Sequence, residues 1–198
     1  MTLFLLLRHA AHDDVGSFLA GRTPGILLGQ AGRAQAGRLA ERLKRERLAA
    51  LYCSPRERTR QTADAIAAAG AAEAPQVLDA LDEIDFGGWS GKSFAELDAD
   101  ETWRAWNARR SEAVTPGGES FADVARRIVG TMERLAGRHA GAAIGLVTHA
   151  DVIKAAVLHH LGLAADDWWR IEVSPASITR LVLAGHGAQL LGLNEVIH

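Results

Sequence analysis

The residues able to do chemistry fall in four short stretches: "RHAAHDD" from Arg8, "SPRERTRQTA" from Ser54, "LDEIDFGGW" from Leu81 and "VTHADVIK" from Val147. Together they offer two guanidinium forks, Arg8 and Arg58, two imidazoles, His9 and His149, and the carboxyl group of Glu83. Planar guanidinium groups match the oxygens of a phosphate-like dianion. A histidine between them suits phosphoryl transfer, where catalysis is mainly positioning and neutralisation of charge on three equatorial oxygens. The imidazole can itself be the nucleophile, giving a phosphohistidine. The leaving alkoxide then needs a proton, and Glu83 can supply it if its surroundings raise its pKa towards neutrality. Asp85 is the alternative acid.

A metal site is the sharpest rival. His9, His12, Asp13 and Asp14, joined by His149 and Asp151, are the ligand types of a metallohydrolase. That reading sets Arg8 and Arg58 beside a cation. A cysteine-dependent phosphatase fails, because its loop needs an arginine six positions after the nucleophile and Thr59 stands six after Cys53. The remaining polar residues have plainer readings: Arg56 and Arg60 as solvated helix arginines, Asp151 as a helix-dipole partner, and Lys154 as a solvated or substrate-rim residue. His139, His159, His160, His186 and His198 read as surface or packing residues.

Each stretch follows a short apolar run, and these runs alternate with helical patterns. That arrangement predicts an α/β fold, a three-layer sandwich with a mostly parallel central sheet of about six strands and helices on both faces. Strands are expected at Leu3–Leu7, Leu48–Cys53, Gln76–Leu78, Ala143–Val147, Ser177–Leu183 and Gln189–Leu193. In open α/β sheets the carboxyl ends of the strands converge on one crevice, which would gather the four stretches. Gly32–Arg47 reads as an amphipathic helix with Ala36, Leu39 and Leu43 on one face. Ser54, Pro55 and Glu57 look like a helix start that sets Arg58 in the first turn, beside free N–H groups suited to an anion. Ser120 and Asp123 form a capping-box pattern ahead of a second long helix. Residues 1–198 are expected to form a single domain, with a lid-like excursion at about 85–118. Trp103, Trp106, Arg109 and Arg110 are candidate lid side chains, and Trp168 and Trp169 are expected to pack a loop or an interface.

The 198 residues are 48% hydrophobic with a formal charge of −2, which suits one globular core and gives no global field for nucleic acid or an anionic membrane. Neither partner is expected. A small-molecule phosphomonoester is, and a homodimer is left open. "MTLFLLL" lacks a basic leading region and reads as a buried strand, so a cytoplasmic protein is expected, as the single cysteine also suggests.

The four stretches, with "LGQAGRAQA" and "PGGESFADVARRI", resemble the histidine phosphatase superfamily, which includes the cofactor-dependent phosphoglycerate mutases. The resemblance runs from Leu5 to about Leu161. It implies that His9 is transiently phosphorylated, that Arg8, Arg58 and His149 clamp the phosphoryl group, and that Glu83 handles the leaving-group and water protons. It also implies no metal and no organic cofactor. Ala10 and Ala150 stand where the family usually has glycine, yet alanine keeps the backbone N–H, so Ala150 stays a candidate anion contact unless φ must be positive. The Ala11–His12 pair and Gly29 also depart from the usual pattern. "EIDFGGW" resembles the phosphatase branch, which implies hydrolysis. Mutase-type transfer is the runner-up, ahead of a metal-dependent hydrolase and a non-catalytic phospho-ligand-binding module on the same fold.

Overall fold

Along β1 (Thr2–Arg8), Phe4 and Leu6 alternate with Leu5 and Leu7, and all four are fully buried. A strand buried on both faces belongs in the middle of a sheet. The computed structural model, which describes residues 1–198, puts it there, in a six-stranded sheet of order β3-β2-β4-β1-β5-β6. The other strands are β2 (Ala50–Cys53), β3 (Gln76–Val77), β4 (Ala143–Thr148), β5 (Ile178–Ala184) and β6 (Gly187–Glu195). β1, β4, β2 and β3 run parallel, while β5 and β6 are added antiparallel on the far edge. This is the expected fold class.

Helices α1 (Gln30–Leu43) and α2 (Glu57–Ala68) cover the face that carries Leu5 and Leu7. The other face, with Phe4 and Leu6, packs against α5 (Phe121–Arg138) and α6 (Ala150–His160). Between β3 and α5 lie the short helices α3 (Phe94–Asp98) and α4 (Glu101–Ala108). The Ser120–Asp123 capping box forms at the start of α5. α1 stops at Leu43 rather than Arg47, since Arg47 adopts a left-handed φ of 49° that a helix interior cannot contain.

Two expectations need correction. Trp103 and Trp106 do not line a lid: they pack against Trp89, with ring centroids 5.3 and 6.3 Å away, inside the core on the α5–α6 face. Their large apolar surface anchors the excursion to the body of the fold. Ser54 is not the cap of α2, which begins at Glu57 with Arg56 as its N-cap. Arg56 is still extended, with φ −68° and ψ 142°, so the helix starts only after it.

The start of α1 holds the chain that leaves β1. The Gln35 side-chain oxygen accepts the Ala11 N–H at 3.0 Å, and the Gly29 N–H donates to the Ala11 carbonyl at 3.2 Å. Gly32 is needed there, because a Cβ on it would lie 1.8 Å from that carbonyl oxygen. Gly37, on the exposed side of the same helix, would meet nothing within 4 Å. The two glycines should therefore respond oppositely to alanine in chemical denaturation. Gly37→Ala should gain ~0.5–1 kcal/mol from helix propensity. Gly32→Ala should lose roughly 1–3 kcal/mol by overpacking against the Ala11 backbone. Stabilisation by both would contradict the close approach of α1 to Ala11.

Candidate active site

β1 ends in Arg8 and the next residue, His9, has its N–H bonded to the Thr148 carbonyl of β4 at 3.0 Å. The ring follows the backbone: His9 Nδ1 lies 2.8 Å from the Ala10 carbonyl oxygen, an acceptor only, so Nδ1 carries the proton and Nε2 is bare. Arg58, in the first turn of α2, meets that bare nitrogen, its Nε donating to His9 Nε2 at 3.3 Å. The Arg58 Nη2 donates to the Gly21 carbonyl at 2.7 Å and to His149 Nδ1 at 3.1 Å. One guanidinium thus joins the two histidines, whose ring centroids are 5.2 Å apart.

The tautomer of His149 follows from the same constraint. Arginine only donates, so His149 Nδ1 is bare and Nε2–H donates to Ser54 Oγ at 2.9 Å. Ser54 in turn donates to Asp82 Oδ1 at 3.3 Å and accepts the Arg56 N–H at 3.3 Å, which satisfies its hydroxyl completely. Asp82 is fixed by Arg56, 3.0 Å away, and Arg22, 3.5 Å away. Arg56 is therefore an ion-pair partner rather than a solvated arginine. Sequence reasoning missed this Ser54–Asp82 relay, although Ser54 directly follows β2 and Asp82 directly precedes Glu83.

Burial and charge act together on the ionisable groups. His9 and His149 are held well below the ordinary histidine pKa, first by burial and then by the neighbouring Arg58 charge, so both stay neutral. Glu83 moves the other way, pushed up to about 7 by burial and by the negative charge of Asp151, against the pull of Arg58. One Glu83 carboxylate oxygen accepts the Ile84 N–H at 3.0 Å, and the other is 3.7 Å from His149 Nδ1. Asp85 is half-exposed, turned to Arg22 and the Gly87 N–H, and takes no part in the cavity wall.

Arg8, His9, Arg58, Glu83 and Ala150 line one cavity of about 160 Å³, with His12, Phe18, Phe86, Phe94 and Asp151. His149 stands behind Arg58. All the residues singled out for phosphoryl chemistry are thus brought together at the carboxyl ends of β1, β2 and β4. Neither Ala10 nor Ala150 has a positive φ, so alanine costs the backbone nothing there. Arg58 Nη1 and Arg8 Nε are buried donors without a partner, which is costly unless an anion completes them. The proposed metal ligands do not assemble: Asp13 and Asp14 are exposed, and no three His, Cys, Asp or Glu side chains lie close enough together to hold a metal ion. Arg110, expected on a lid, is buried against Asp151 at 2.6 Å, while Arg109 is exposed beside Glu112.

Comparison with known proteins agrees with this geometry. Residues 4–196 match the family model of the histidine phosphatase superfamily, branch 1. Phosphoserine phosphatase 1 of Hydrogenobacter thermophilus is 32% identical over 203 residues, covering 100% of this chain and 94% of that one. The bifunctional protein Rv2228c of Mycobacterium tuberculosis is 33% identical over 197 residues, 97% of this chain but 53% of the other, so this chain spans about half its length. Among solved structures, mycobacterial glucosyl-3-phosphoglycerate phosphatase Rv2419c in complex with VO3 aligns with a TM-score of 0.87 at 28% identity, over 98% of each chain. Matched along almost its whole length and with a phosphatase-like site at its strand ends, the chain belongs to the histidine phosphatase superfamily, branch 1, and is a phosphomonoester hydrolase.

Proposed function

We propose that the protein hydrolyses a small phosphomonoester in two displacements at phosphorus, with His9 as the nucleophile. The observation that carries this reading is the His9 ring itself, buried and neutral, with Nδ1–H tied to the Ala10 carbonyl and bare Nε2 beside the Arg58 Nε. In the first step His9 Nε2 attacks phosphorus, the P–N bond forms and the ester P–O bond breaks. Glu83, protonated below about pH 7, gives its proton to the leaving alkoxide. In the second step the Glu83 carboxylate takes a proton from water, the hydroxide oxygen bonds to phosphorus and the P–N bond breaks. Inorganic phosphate, neutral His9 and protonated Glu83 are restored.

Arg8 and Arg58 neutralise the equatorial oxygens through donors that include the unpartnered Arg8 Nε and Arg58 Nη1. His149, held in one tautomer by Ser54 and Asp82, keeps Arg58 in place, and the Ala150 N–H at the start of α6 is a further candidate contact. The relatives named for phosphoserine and glucosyl-3-phosphoglycerate support a small phosphorylated metabolite as substrate. Within a single domain of residues 1–198, we take the segment at about 85–118 as the cover of the site, since Phe86 and Phe94 come from it. No helix is long and apolar enough to cross a membrane, and we assign the protein to the cytoplasm.

Replacing His9 by alanine should abolish turnover of both aryl and alkyl phosphates. Glu83→Gln should slow alkyl esters by roughly 10²–10⁴-fold and aryl esters, whose leaving groups need no proton, far less. Because the acid form of Glu83 is present below about pH 7 and lost above it, kcat/KM for an alkyl ester should fall as pH rises through about 7. Glu83→Gln should remove that limb. Equal slowing of both ester types, or an unchanged limb, would remove Glu83 from the leaving-group step.

A further inference from the structure

Glu83 belongs to no helix or strand, so the direction of its carboxyl group is set by whatever holds the peptide units around it. Its N–H donates to Asp82 Oδ1 at 2.8 Å, and its own Oε1 accepts the Ile84 N–H at 3.0 Å. Its carbonyl accepts from two guanidinium groups, Arg22 Nε at 2.9 Å and Arg127 Nη2 at 3.1 Å. Both arginines end on one carboxylate. Glu119 Oε2 accepts Arg22 Nη2 at 2.9 Å and Arg127 Nη2 at 3.1 Å, while Oε1 accepts Arg127 Nε at 3.0 Å. Glu119 Oε2 also accepts the Asp85 N–H at 3.0 Å, and the Glu119 N–H donates to the Asp85 carbonyl at 2.9 Å. Arg22 has two further acids nearby, Asp82 at 3.5 Å and Asp85 at 3.6 Å, but Glu119 is the one within hydrogen-bond distance. Glu119 itself is not among the residues that line the His9 cavity.

We propose that Glu119 is a positioning residue of the reaction: through Arg22, Arg127 and the Asp85 N–H it fixes the Glu83 peptide so that the carboxyl group reaches the leaving oxygen. The inference rests on the reading of Glu83 as the acid and adds what aims it. A neutral carbonyl fixes a long arginine side chain weakly, whereas charge-assisted bonds to a carboxylate are roughly twice as strong and hold the planar fork in one orientation. Arg127 shows that geometry, with Nε and Nη2 on the two Glu119 oxygens and Nη1 donating to the Ala80 carbonyl at 2.8 Å. Without Glu119 both guanidinium groups lose the anchor that places them under the Glu83 carbonyl, and the Asp85 N–H loses its acceptor. The peptide units on either side of Ile84 are then free to turn, and the Glu83 carboxyl group turns with them.

The test is a double-mutant cycle read with two esters of similar size, benzyl phosphate, whose leaving alkoxide needs a proton, and 4-nitrophenyl phosphate, whose leaving group does not. Glu119→Ala should lower kcat/KM for benzyl phosphate by roughly 10²-fold, the scale of a displaced catalytic group, and for 4-nitrophenyl phosphate by no more than about threefold. Glu119→Gln, which keeps one acceptor oxygen, should fall between wild type and Glu119→Ala. In a Glu83→Gln background Glu119→Ala should cost less than about twofold more, because the group it positions is already gone. The fall in kcat/KM as pH rises through about 7 should persist in Glu119→Ala and vanish in Glu83→Gln. A purely structural role would slow both esters together by lowering the fraction of active enzyme. Equal slowing of the two esters by Glu119→Ala, or a full further loss in the Glu83→Gln background, overturns the proposal, and if Glu119→Ala does not fold, Glu119→Gln decides it by the same comparison. Equal slowing of the two esters by Glu83→Gln itself overturns instead the reading of Glu83 as the acid.

Discussion

Everything at the site depends on one buried cation. Arg58 is 1% exposed and has no carboxylate within ion-pair distance. It is held instead by neutral acceptors, namely the Gly21 carbonyl and the bare nitrogens of His9 and His149. A buried charge without an ionic partner is costly, and here the compensation is incomplete because Nη1 has no acceptor. The consequence is a standing positive potential in a small, poorly solvated cavity, reinforced by Arg8, which favours a dianion and disfavours a protonated histidine. The same field that favours an anion in the pocket therefore keeps the His9 ring neutral, as the proposed nucleophilic role requires.

The fold can maintain this arrangement because each participant is fixed by a different element. His9 is set by the ladder between β1 and β4 and by the close approach of α1 at Gly32 and Gln35. Arg58 comes from the first turn of α2, and His149 from the junction of β4 and α6. Glu83 lies on an irregular segment whose own carbonyl accepts Arg22 at 2.9 Å and Arg127 at 3.1 Å. Charge is graded across the pocket as well. Asp151 helps hold the proton on Glu83, while Arg110, stacked 3.6 Å over Trp168, keeps Asp151 ionised. Two carboxyl groups lining one cavity are thus driven apart in pKa by their surroundings, which leaves Asp151 a fixed negative charge and Glu83 the group that can exchange a proton.

Much of this was legible in the sequence because the informative residues are strand ends. Apolar runs such as Leu3–Leu7 mark the strands, and parallel topology then brings Arg8, Arg58, Glu83 and His149 to one edge wherever the intervening chain goes. What was not legible depends on packing. Trp103 and Trp106 have the composition of a lid, and only the Trp89 cluster shows that they are core. Ser54 matches a helix cap by spacing, yet its hydroxyl is engaged by His149 and Asp82, residues 95 and 28 positions away, which no local pattern encodes. Arg110 reads as a lid side chain because its partners, Asp151 and Trp168, arrive from later in the chain.

The account stands or falls on a phosphoryl group bonded to His9. Mixing the enzyme with a phosphorus-labelled ester, stopping the reaction in alkali within one turnover and mapping the labelled peptide tests it directly, since phosphohistidine survives base and is lost in acid. The account predicts label on the peptide containing His9, stable to alkali, labile to acid and lost at the turnover rate. Label on another residue, or full turnover with no labelled protein at any time within the first cycle, would contradict it.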